Sequence, residues 1–169
     1  MELSINKKDK IHLIGIGGIG MSGIALILKK MGYDVQGSDI SKKSKSLDFL
    51  KKNKIKIFNN HKSQNTKNAK IVVISTAIKR SNSEFQAAIK KKLLIIRRAD
   101  MLAHIISLKK NIVISGSHGK TTITSLVSTI LKDANFKPTI VNGGIINSLK
   151  PKARLGNGDW SVIDEHESD

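Results

Sequence analysis

The sequence predicts an α/β protein built on parallel β-sheets. Short apolar runs that are typical of buried strands alternate along the chain with stretches of helical periodicity. At two places a glycine-containing loop follows a strand and precedes a helix, namely GIGGIG at residues 15–20 and GSHGKTT at residues 116–122. The alternation predicts strands joined by helical crossovers, and the second loop indicates that the pattern starts again later in the chain.

The first part of the chain predicts a regular series of strands and helices. A buried strand breaks at the glycines of the first loop, and the helix that follows ends at Gly32. Ser81 and Glu84 have the spacing of a capping box before a later helix. The predicted strands are residues 11–16, 33–38, 54–58, 69–75 and 93–97, and the predicted helices are residues 20–31, 43–53, 81–91 with its cap, and 101–108.

The pattern restarts at Asn111 and predicts a second α/β unit. Its predicted elements are strands at residues 111–115, 139–141 and 160–163 and a helix at residues 120–133, with a Gly143-Gly144 turn and a polar connection at residues 150–159. We therefore predict two domains, residues 1–108 and 109–169. A mononucleotide-binding domain needs roughly 100 residues or more, so the second domain is expected to be an incomplete portion of a longer protein.

Composition and charge restrict the partners that the protein can have. The formal net charge is +17, but 26 lysines and only four arginines are spread along the chain, and aromatic residues make up only 4%. This distribution argues against nucleic-acid recognition and favours an enzyme with anionic substrates. Without cysteine there is no disulfide or thiolate metal site, and no apolar run is long enough to span a membrane. We expect a cytoplasmic protein.

The first glycine loop matches G-x-G-x-x-G between a strand and a helix, and an acidic residue, Asp39, follows at the expected distance. Glycine suits this loop because a Cβ would keep the backbone from approaching a diphosphate, which the N–H groups and the positive end of the helix would hold. A dinucleotide, with Asp39 on a ribose, and the diphosphate of a nucleotide sugar satisfy the loop equally well. A tight crossing from strand to helix without a ligand is the structural alternative.

The second glycine loop keeps the chemistry of a phosphate-binding loop, although Ile114 stands where the first glycine of the usual spacing would be. Lys120 can reach the terminal phosphates, the amides of residues 117–121 can surround an anion, and the Thr121 hydroxyl can bind Mg²⁺. The last predicted strand brings Asp164 to its carboxyl end, where a second Mg²⁺ ligand is expected. The loop therefore predicts ATP binding with Mg²⁺.

Together, the two loops and the motifs around them resemble the Mur ligases of bacterial cell-wall synthesis. The matching stretches are IHLIGIGGIGMSGIA (11–25), GSDI (37–40), FNNH (58–61), STAI (75–78), RRADML (97–102), GSHGKTT (116–122), VNGGIINS (141–148) and ARLGNGDW (153–160). The resemblance implies a Rossmann-like first domain that binds the UDP part of a sugar nucleotide rather than NAD. It implies that the second domain is the beginning of a P-loop ATPase domain, and that the family's third domain is absent.

The reaction that the resemblance implies is ATP-dependent formation of an amide between the lactoyl carboxylate of UDP-N-acetylmuramate and L-alanine, giving ADP and phosphate. Because a carboxylate is a poor electrophile, the γ-phosphoryl group is first transferred to it, and the amine of alanine then attacks the acyl phosphate. Lys120 and Mg²⁺ would neutralise the charge that builds up on the transferred group. The isolated chain is predicted to be inactive.

The resemblance also assigns residues to the two ligands. The ATP-binding residues are Gly116, Ser117, His118, Gly119, Lys120, Thr121 and Thr122, with Lys120 and Thr121 as the catalytic pair and Thr121 and Asp164 as metal ligands. The residues on the UDP-sugar side are Gly15, Gly17, Gly18, Ile19, Gly20, Ser38, Asp39, His61, Ser75, Thr76 and Ala77. His12 and His104 are interpreted as structural.

One stretch departs from the family pattern, because the sequence has DEHESD at residues 164–169 where the family has EADESD. Asp164 can still coordinate Mg²⁺ with a small shift. Glu165 can replace it if the strand slips by one residue, but a slip reverses the faces on which the side chains lie. Two other functions stay open: a non-catalytic module that binds UDP-N-acetylmuramate, and an NAD(P) oxidoreductase, against which the second loop argues.

Overall fold

The computed structural model describes residues 5–41, 44–142 and 152–164, and it confirms the α/β class. The elements in chain order are β1 (Lys10–Ile14), α1 (Ile19–Lys30), β2 (Asp34–Ser38), α2 (Lys45–Lys52), β3 (Lys56–Phe58), β4 (Ile71–Ile74), α3 (Ser83–Lys90), β5 (Leu94–Arg97), α4 (Arg98–Ser107), β6 (Lys110–Ile114), α5 (Lys120–Asp133), β7 (Thr139–Asn142), β8 (Lys152–Arg154) and β9 (Trp160–Asp164). A short 3₁₀ helix, Ser63–Thr66, precedes β4. The predicted Gly143-Gly144 turn and the acidic residues 165–169 lie outside the described residues.

The chain divides into two compact units, Met1–Met101 and Leu102–Asp169. This division falls within α4, whereas the sequence places the domain boundary after Leu108. Each unit has a β-sheet of its own. Within the described parts of the chain, no helix is both long and apolar enough to cross a membrane.

A five-stranded parallel sheet, in the order β3-β2-β1-β4-β5, forms the first unit. The chain moves outward from β1 to β3 and then returns to β4 on the other side of β1, so the strand order reverses between β1 and β4. In open α/β sheets, ligands bind beyond the carboxyl ends of the strands at such a reversal. The first glycine loop leaves the sheet at this point, because it follows β1 directly.

Apolar burial along β1 and α1 holds the corner of the first unit in place. Ile11, Leu13 and Ile14 are fully buried on β1, as expected for a central parallel strand. On α1, Ile24 and Leu28 recur at helical spacing and are also buried. Burying an isoleucine or leucine side chain contributes about 1.5–3 kcal/mol, so the strand and the helix on either side of the loop are firmly anchored.

The helix ends confirm one prediction and correct another. α1 is followed by Gly32, whose φ of 89° is in the left-handed region that favours glycine. The capping box predicted for Ser81 and Glu84 is wrong: Asn82 caps α3, and its side chain accepts hydrogen bonds from the N–H groups of Glu84 and Phe85. The Glu84 carboxylate does not turn back to the cap but is fully buried among polar side chains.

A four-stranded sheet, in the order β6-β9-β7-β8, forms the second unit. β9 lies between β6 and β7 and is parallel to both, while β8 is antiparallel to β7. The sequence predicted only an irregular connection over residues 150–159 and so missed β8, whose sequence KAR contains a single apolar residue. In the β6–β9 register Ile114 pairs with Asp164, so both strands end at the second glycine loop.

The helix α5 packs against β7 and β9 and buries a narrow polar face. Its buried residues are Thr124 and Ser128, which lie one turn apart. Ile123, Leu126 and Ile130 are exposed by 47%, 61% and 67% and recur at helical spacing on the surface. We refer to these three residues as the apolar stripe of α5.

Candidate functional site

Backbone hydrogen bonds hold the first glycine loop over the end of β2. The N–H groups of Gly15 and Ile16 both donate to the carbonyl oxygen of Ser38, at 2.8 and 2.9 Å. Gly15 has a φ of 75°, which turns the chain sharply out of β1. The loop thus leads directly into α1, whose first N–H groups have no partners in a preceding helical turn.

The carboxylate of Asp39 is directed at this loop. One oxygen accepts from the N–H of Gly17 at 2.8 Å, and the other accepts from the N–H of Ser41, also at 2.8 Å. One amide of the loop is therefore bound by a side chain of the protein itself. A carboxylate offers about four acceptor sites, so Asp39 can still accept from a hydroxyl group of a ligand.

Close approach of the chain explains two glycines around the first loop. A Cβ on Gly17 would lie 2.8 Å from the Oδ2 atom of Asp39. A Cβ on Gly37, in the strand beneath the loop, would lie 2.6 Å from both the carbonyl oxygen of Leu13 and the Cδ1 atom of Ile16. Gly37 is the more constrained of the two, because a backbone oxygen in a strand cannot move aside as a side chain can.

Arg98 lies beside the first turn of α1, and sequence reasoning did not select it as a site residue. A Cβ on Gly20 would come within 2.6 Å of the Nη1 atom of Arg98, so the guanidinium group lies against the start of the helix. A cation at a helix N-terminus opposes the helix dipole, and an anion bound beside both would be stabilised by each of them. The signal in the sequence was its position directly after β5, at the same edge of the sheet as the loop.

A buried polar cluster lies beneath the carboxyl end of β2, with Glu84 at its centre. The carboxylate accepts from Ser38 Oγ at 2.5 Å and from Asn65 Nδ2 at 2.6 Å, and it lies 2.9 Å from His61 Nδ1. Burial by itself raises the pKa of Glu84, but contacts with His12, Ser38 and Asn65 outweigh burial and hold the pKa below its usual value. Glu84 is therefore a buried carboxylate that is ionised at neutral pH.

The orientation of Gln36 determines which nitrogen of His12 carries the proton. Gln36 Nε2 donates to the carbonyl oxygen of Asn65 at 2.8 Å and lies 3.3 Å from His12 Nδ1. Because an amide nitrogen only donates, Nδ1 accepts and the proton of the neutral ring is on Nε2, which lies 3.4 Å from the Glu84 carboxylate. His12 is fully buried and belongs to the cluster.

The residues assigned to the UDP-sugar side lie at one edge of the first sheet. His61 follows β3, and its Nδ1 atom lies 2.9 Å from Ser38 Oγ at the end of β2. Residues 75–77 follow β4 and form a turn in which the N–H of Ile78 donates to the carbonyl of Ser75 at 3.1 Å. Because β1, β2 and β4 are parallel neighbours, their carboxyl ends bring these residues to the same edge as the loop.

The second glycine loop lies at the surface and is shaped by its backbone conformation. Gly116 and Gly119 have φ values of 141° and 76°, and a Cβ on either glycine would meet nothing within 4 Å. Residues 117–119 are exposed, including His118. The loop is therefore not enclosed in a packed core, and an anion can approach it.

Lys120 and Thr121 begin α5 and point back to the loop and to β9. The ammonium group of Lys120 donates to the carbonyl oxygen of Gly116, so the side chain crosses the loop. Thr121 Oγ1 lies 3.4 Å from Asp164 Oδ2, which places the two predicted metal ligands together. A hydroxyl and a carboxylate fit Mg²⁺, because this ion takes few protein ligands and completes its shell with water and phosphate oxygens.

Elsewhere in residues 5–41, 44–142 and 152–164 no group of three or more histidine, aspartate or glutamate side chains is arranged to hold a metal ion. The Thr121 and Asp164 pair differs from such a group because it would rely on oxygens of a bound nucleotide. The acidic residues after Asp164, including Glu165, lie outside the described residues.

Each of the two glycine loops lies at a strand-to-helix corner at the carboxyl edge of parallel strands, an arrangement typical of α/β proteins that bind nucleotides. A family model described as "Mur ligase family, catalytic domain" matches residues 10–110. The chain belongs to the Mur ligase family.

Individual relatives agree with this assignment. The chain is 52% identical over 169 residues to a UDP-N-acetylmuramate--L-alanine ligase of Pelagibacter ubique, and the match covers 100% of this chain and 36% of that protein. The crystal structure of a UDP-N-acetylmuramate-alanine ligase from Thermotoga maritima is 35% identical with a TM-score of 0.64, covering 92% of this chain and 37% of that one. A UDP-N-acetylmuramate:L-alanyl-gamma-D-glutamyl-meso-diaminopimelate ligase from Neisseria meningitides is 26% identical with a TM-score of 0.68, covering 93% of this chain and 52% of that one. The chain thus spans little more than a third of the curated relative that it matches.

Proposed function

We propose that this chain contributes the sugar-nucleotide site and the ATP site of an enzyme that joins L-alanine to the lactoyl carboxylate of UDP-N-acetylmuramate. ATP is converted to ADP and phosphate in this reaction. The observation that carries the proposal is the presence of two separate glycine corners in a chain whose 52% identical relative is named for the reaction. The domains 1–108 and 109–169 would hold UDP-N-acetylmuramate and ATP, respectively.

The first unit has the features that a sugar diphosphate requires. The loop at residues 15–20 and the first N–H groups of α1 would face the diphosphate, since a helix N-terminus attracts anions. The guanidinium of Arg98 lies at the same helix end and would share that charge. Ser38, Asp39, His61 and residues 75–77, at the same edge of the sheet, would contact the rest of the ligand. All three relatives described above have UDP-N-acetylmuramate in their names, which supports the assignment.

The second unit has the features that a phosphoryl donor requires. Lys120, which crosses the loop to Gly116, would exchange this carbonyl for the terminal phosphates when ATP binds. The backbone amides of residues 117–121 would surround the phosphates, within the ATP-binding stretch that comprises Gly116, Ser117, His118, Gly119, Lys120, Thr121 and Thr122. Thr121 and Asp164 would hold Mg²⁺, and this ion supplies charge neutralisation on the transferred phosphoryl group when it is bound. The protein groups bind and orient the reacting groups of the substrates, so no protein nucleophile is required.

The bonds change in two steps in this reaction. The bond between the terminal phosphorus and the bridging oxygen of ATP breaks as a lactoyl carboxylate oxygen bonds to phosphorus, which gives ADP and an acyl phosphate. The neutral amine of alanine then bonds to the acyl carbon, the carbon–oxygen bond to phosphate breaks, and the proton lost by the nitrogen goes to the released phosphate. Lys120 would bind oxygens of the transferred group throughout, because its ammonium carries three donors and a fixed charge. We also propose that the protein acts in the cytoplasm, because the reaction consumes ATP.

Calorimetric titration of the 169-residue chain tests the first unit. UDP-N-acetylmuramate is expected to bind, and NADH is expected not to bind, because the loop is assigned to a sugar diphosphate. Binding of NADH without binding of the sugar nucleotide would support an NAD(P) oxidoreductase and overturn the proposal.

A chimera tests the activity of the whole enzyme. In the chimera this chain replaces the corresponding 36% of the Pelagibacter ubique ligase, to which it aligns over its full length. Phosphate release that depends on both UDP-N-acetylmuramate and L-alanine is expected. A chimera that folds and binds UDP-N-acetylmuramate but releases no phosphate with alanine would instead support the non-catalytic sugar-nucleotide module.

A further inference from the structure

We infer that Glu84 is a positioning residue of the sugar-nucleotide site, which holds the proton of His61 on Nδ1 and presents Nε2 as a hydrogen-bond acceptor. This role rests on the proposed function, because it gives His61 a ligand. The group of the ligand that it recognises is a donor, either a ribose hydroxyl or the imide N–H of uracil, and not a phosphate oxygen.

The contacts of Ser38 show which atom supplies the proton between Glu84 and His61. Ser38 Oγ and His61 Nδ1 both converge on the same carboxylate oxygen of Glu84, at 2.5 and 2.9 Å. An ionised carboxylate only accepts, and a serine hydroxyl has a single proton. At 2.5 Å this proton belongs to the hydrogen bond with Glu84, so it is not available to His61 Nδ1, which lies 2.9 Å from Ser38 Oγ. Nδ1 therefore carries the proton that it donates to Glu84.

The other contacts of Glu84 keep its carboxylate from rotating away. Its second oxygen accepts from Asn65 Nδ2 at 2.6 Å and lies 3.4 Å from Nε2 of His12. Asn65 Nδ2 also donates to the carbonyl oxygen of Asn60 at 2.9 Å, which fixes the orientation of this amide. This oxygen of Glu84 therefore faces an amide donor whose direction is set by a second contact.

The segment that carries His61 is anchored on its backbone as well. The hydroxyl of Ser83, the first residue of α3, donates to the carbonyl oxygen of His61. On the preceding residue, Asn60, the carbonyl accepts from Asn65. With the backbone and Nδ1 both held, the imidazole has one orientation, and the histidine does not have to be ordered when a ligand binds.

Glu84, the positioning residue, and His61, the residue that it positions, differ in their exposure to solvent. The side chains of Glu84 and His12 are fully buried, and Ser38 is also fully buried, whereas the side chain of His61 is 19% exposed. Since Nδ1 faces the buried carboxylate, Nε2 is the ring nitrogen that can meet a ligand. A second partner that fixes the tautomer of a functional histidine in this way is a common device in proteins.

Glu84→Gln in the 169-residue chain tests the hold on His61 directly. An amide has one acceptor oxygen, and the fixed donor of Asn65 favours placing that oxygen on its side. The amide nitrogen then faces His61, where it needs an acceptor. At a pH high enough for the ring to lose its second proton, ¹⁵N NMR of labelled histidine is expected to show His61 protonated on Nδ1 in the wild type, and in Glu84→Gln the proton is expected to move to Nε2. An unchanged tautomer would overturn the inference.

Binding of UDP tests whether this hold affects the ligand. Glu84→Gln is expected to weaken UDP binding about tenfold, by analogy with metal-binding histidines, for which loss of the supporting partner lowers metal affinity about 10–100-fold. In a chain that already carries His61→Ala, Glu84→Gln is expected to have no further effect on UDP affinity. Leu50→Val, a core change in α2 outside the cluster, is the control for a general loss of stability and should leave both the tautomer and the affinity unchanged. If Glu84→Gln weakens binding as much without His61 as with it, Glu84 does not act through His61.

UDP analogues identify the donor. Three analogues each remove one donor: they lack the 2′-hydroxyl, lack the 3′-hydroxyl, or carry a methyl group on the imide nitrogen. Each should bind to the wild type more weakly than UDP does. For the analogue that lacks the donor bound by His61, this difference in affinity should disappear in His61→Ala. If no analogue distinguishes the wild type from His61→Ala, the acceptor role is overturned. If the wild type does not bind UDP at all, the proposed function and the ligand role both fail, while the tautomer measurement still decides whether Glu84 holds the ring.

Discussion

The glycine loop after β1 and the glycine loop after β6 occupy the same kind of corner between a parallel strand and a helix. In the first, backbone bonds to Ser38 and the carboxylate of Asp39 pull the loop onto the sheet, and added Cβ atoms would collide with neighbours. In the second, Gly116 and Gly119 have open space around them and are distinguished by positive φ values. The first corner needs glycine for conformation at Gly15 and for close approach at Gly17 and Gly37, whereas the second needs it for conformation alone.

This difference also affects what each corner can do. A loop pressed onto its sheet has a fixed shape, which suits a ligand that is bound and held. A loop at the surface, crossed by a long lysine side chain, can rearrange around a group that is transferred. Substitutions of Lys120, Gly37 and Gly119 and the response of stability to pH test this contrast.

Lys120→Ala is expected to lower the turnover of the Pelagibacter chimera about 10²–10³-fold, the loss typical of removing one donor that stabilises transition-state charge. Affinity for UDP-N-acetylmuramate should stay nearly unchanged, because Lys120 belongs to the second corner. Phosphate release and calorimetric titration measure the two effects. Loss of sugar-nucleotide affinity together with turnover would contradict the separation of the two sites.

Gly37→Ala is expected to destabilise the first unit by about 2–3 kcal/mol, because the new Cβ would overlap a backbone oxygen and core atoms beneath the loop. Urea denaturation, monitored by hydrogen exchange of the backbone amides in β1, measures this loss. The single tryptophan of the chain, Trp160, lies in the second unit and should report an unchanged transition there. A shift of less than about 0.5 kcal/mol, within the range of ordinary surface changes, would argue against close packing at this crossing.

Gly119→Ala is expected to destabilise the second unit by about 1–2 kcal/mol, the strain of a side chain in the left-handed region. No steric overlap adds to this value, because a Cβ on Gly119 has open space around it. Trp160 fluorescence during urea denaturation measures the loss. Gly119→Asn should lose less, since asparagine tolerates this conformation; equal losses in the two variants would show that the positive φ is not the cause.

The pH dependence of stability is expected to show a smaller effect than these substitutions, confined to the first unit, which contains Glu84. Because the pKa of Glu84 is lowered in the folded chain, the unfolded chain binds the proton first as the pH falls. The stabilisation is therefore present above the ordinary glutamate pKa of about 4.3 and is lost as the pH falls through the lower folded value. Urea denaturation at a series of acidic pH values should show a shallower decline for Glu84→Gln than for the wild type. Parallel declines would show that Glu84 does not have the lowered pKa.

Much of the fold follows from local patterns in the sequence. The helix predicted at residues 120–133 is α5 with the same bounds, because a glycine precedes it and its length is set by a clear helical pattern. β8 could not be predicted in this way, because three residues with one apolar side chain carry no strand pattern and are held by pairing with β7. The cap of α3 was assigned to Ser81 rather than Asn82 because Glu84 fits a capping box; the competing contacts of Glu84 are formed by distant parts of the chain.

The candidate site could also be predicted from the sequence only in part. Gly15–Gly20, Ser38 and Asp39 could be expected to meet, because parallel strands bring their carboxyl ends to one edge. The role of Glu84 could not, because it reaches the site from a helix far away in sequence: Glu84 lies 46 residues from Ser38 and is hydrogen-bonded to it. Arg98 could have been selected, because it follows β5 directly at the same edge of the sheet. A lone glutamate in an amphipathic helix looks like a solvent-exposed residue until the sheet is assembled.

The apolar stripe of α5 has a practical consequence for handling the chain in solution. The stripe is an exposed apolar surface, formed by Ile123, Leu126 and Ile130, through which two molecules can associate. The formal net charge of +17 opposes this association by repulsion between molecules. Salt shortens the range of this repulsion to about 8 Å at physiological ionic strength but leaves apolar attraction in place. Dilute buffers should therefore keep preparations dispersed, and light scattering should rise as sodium chloride is added.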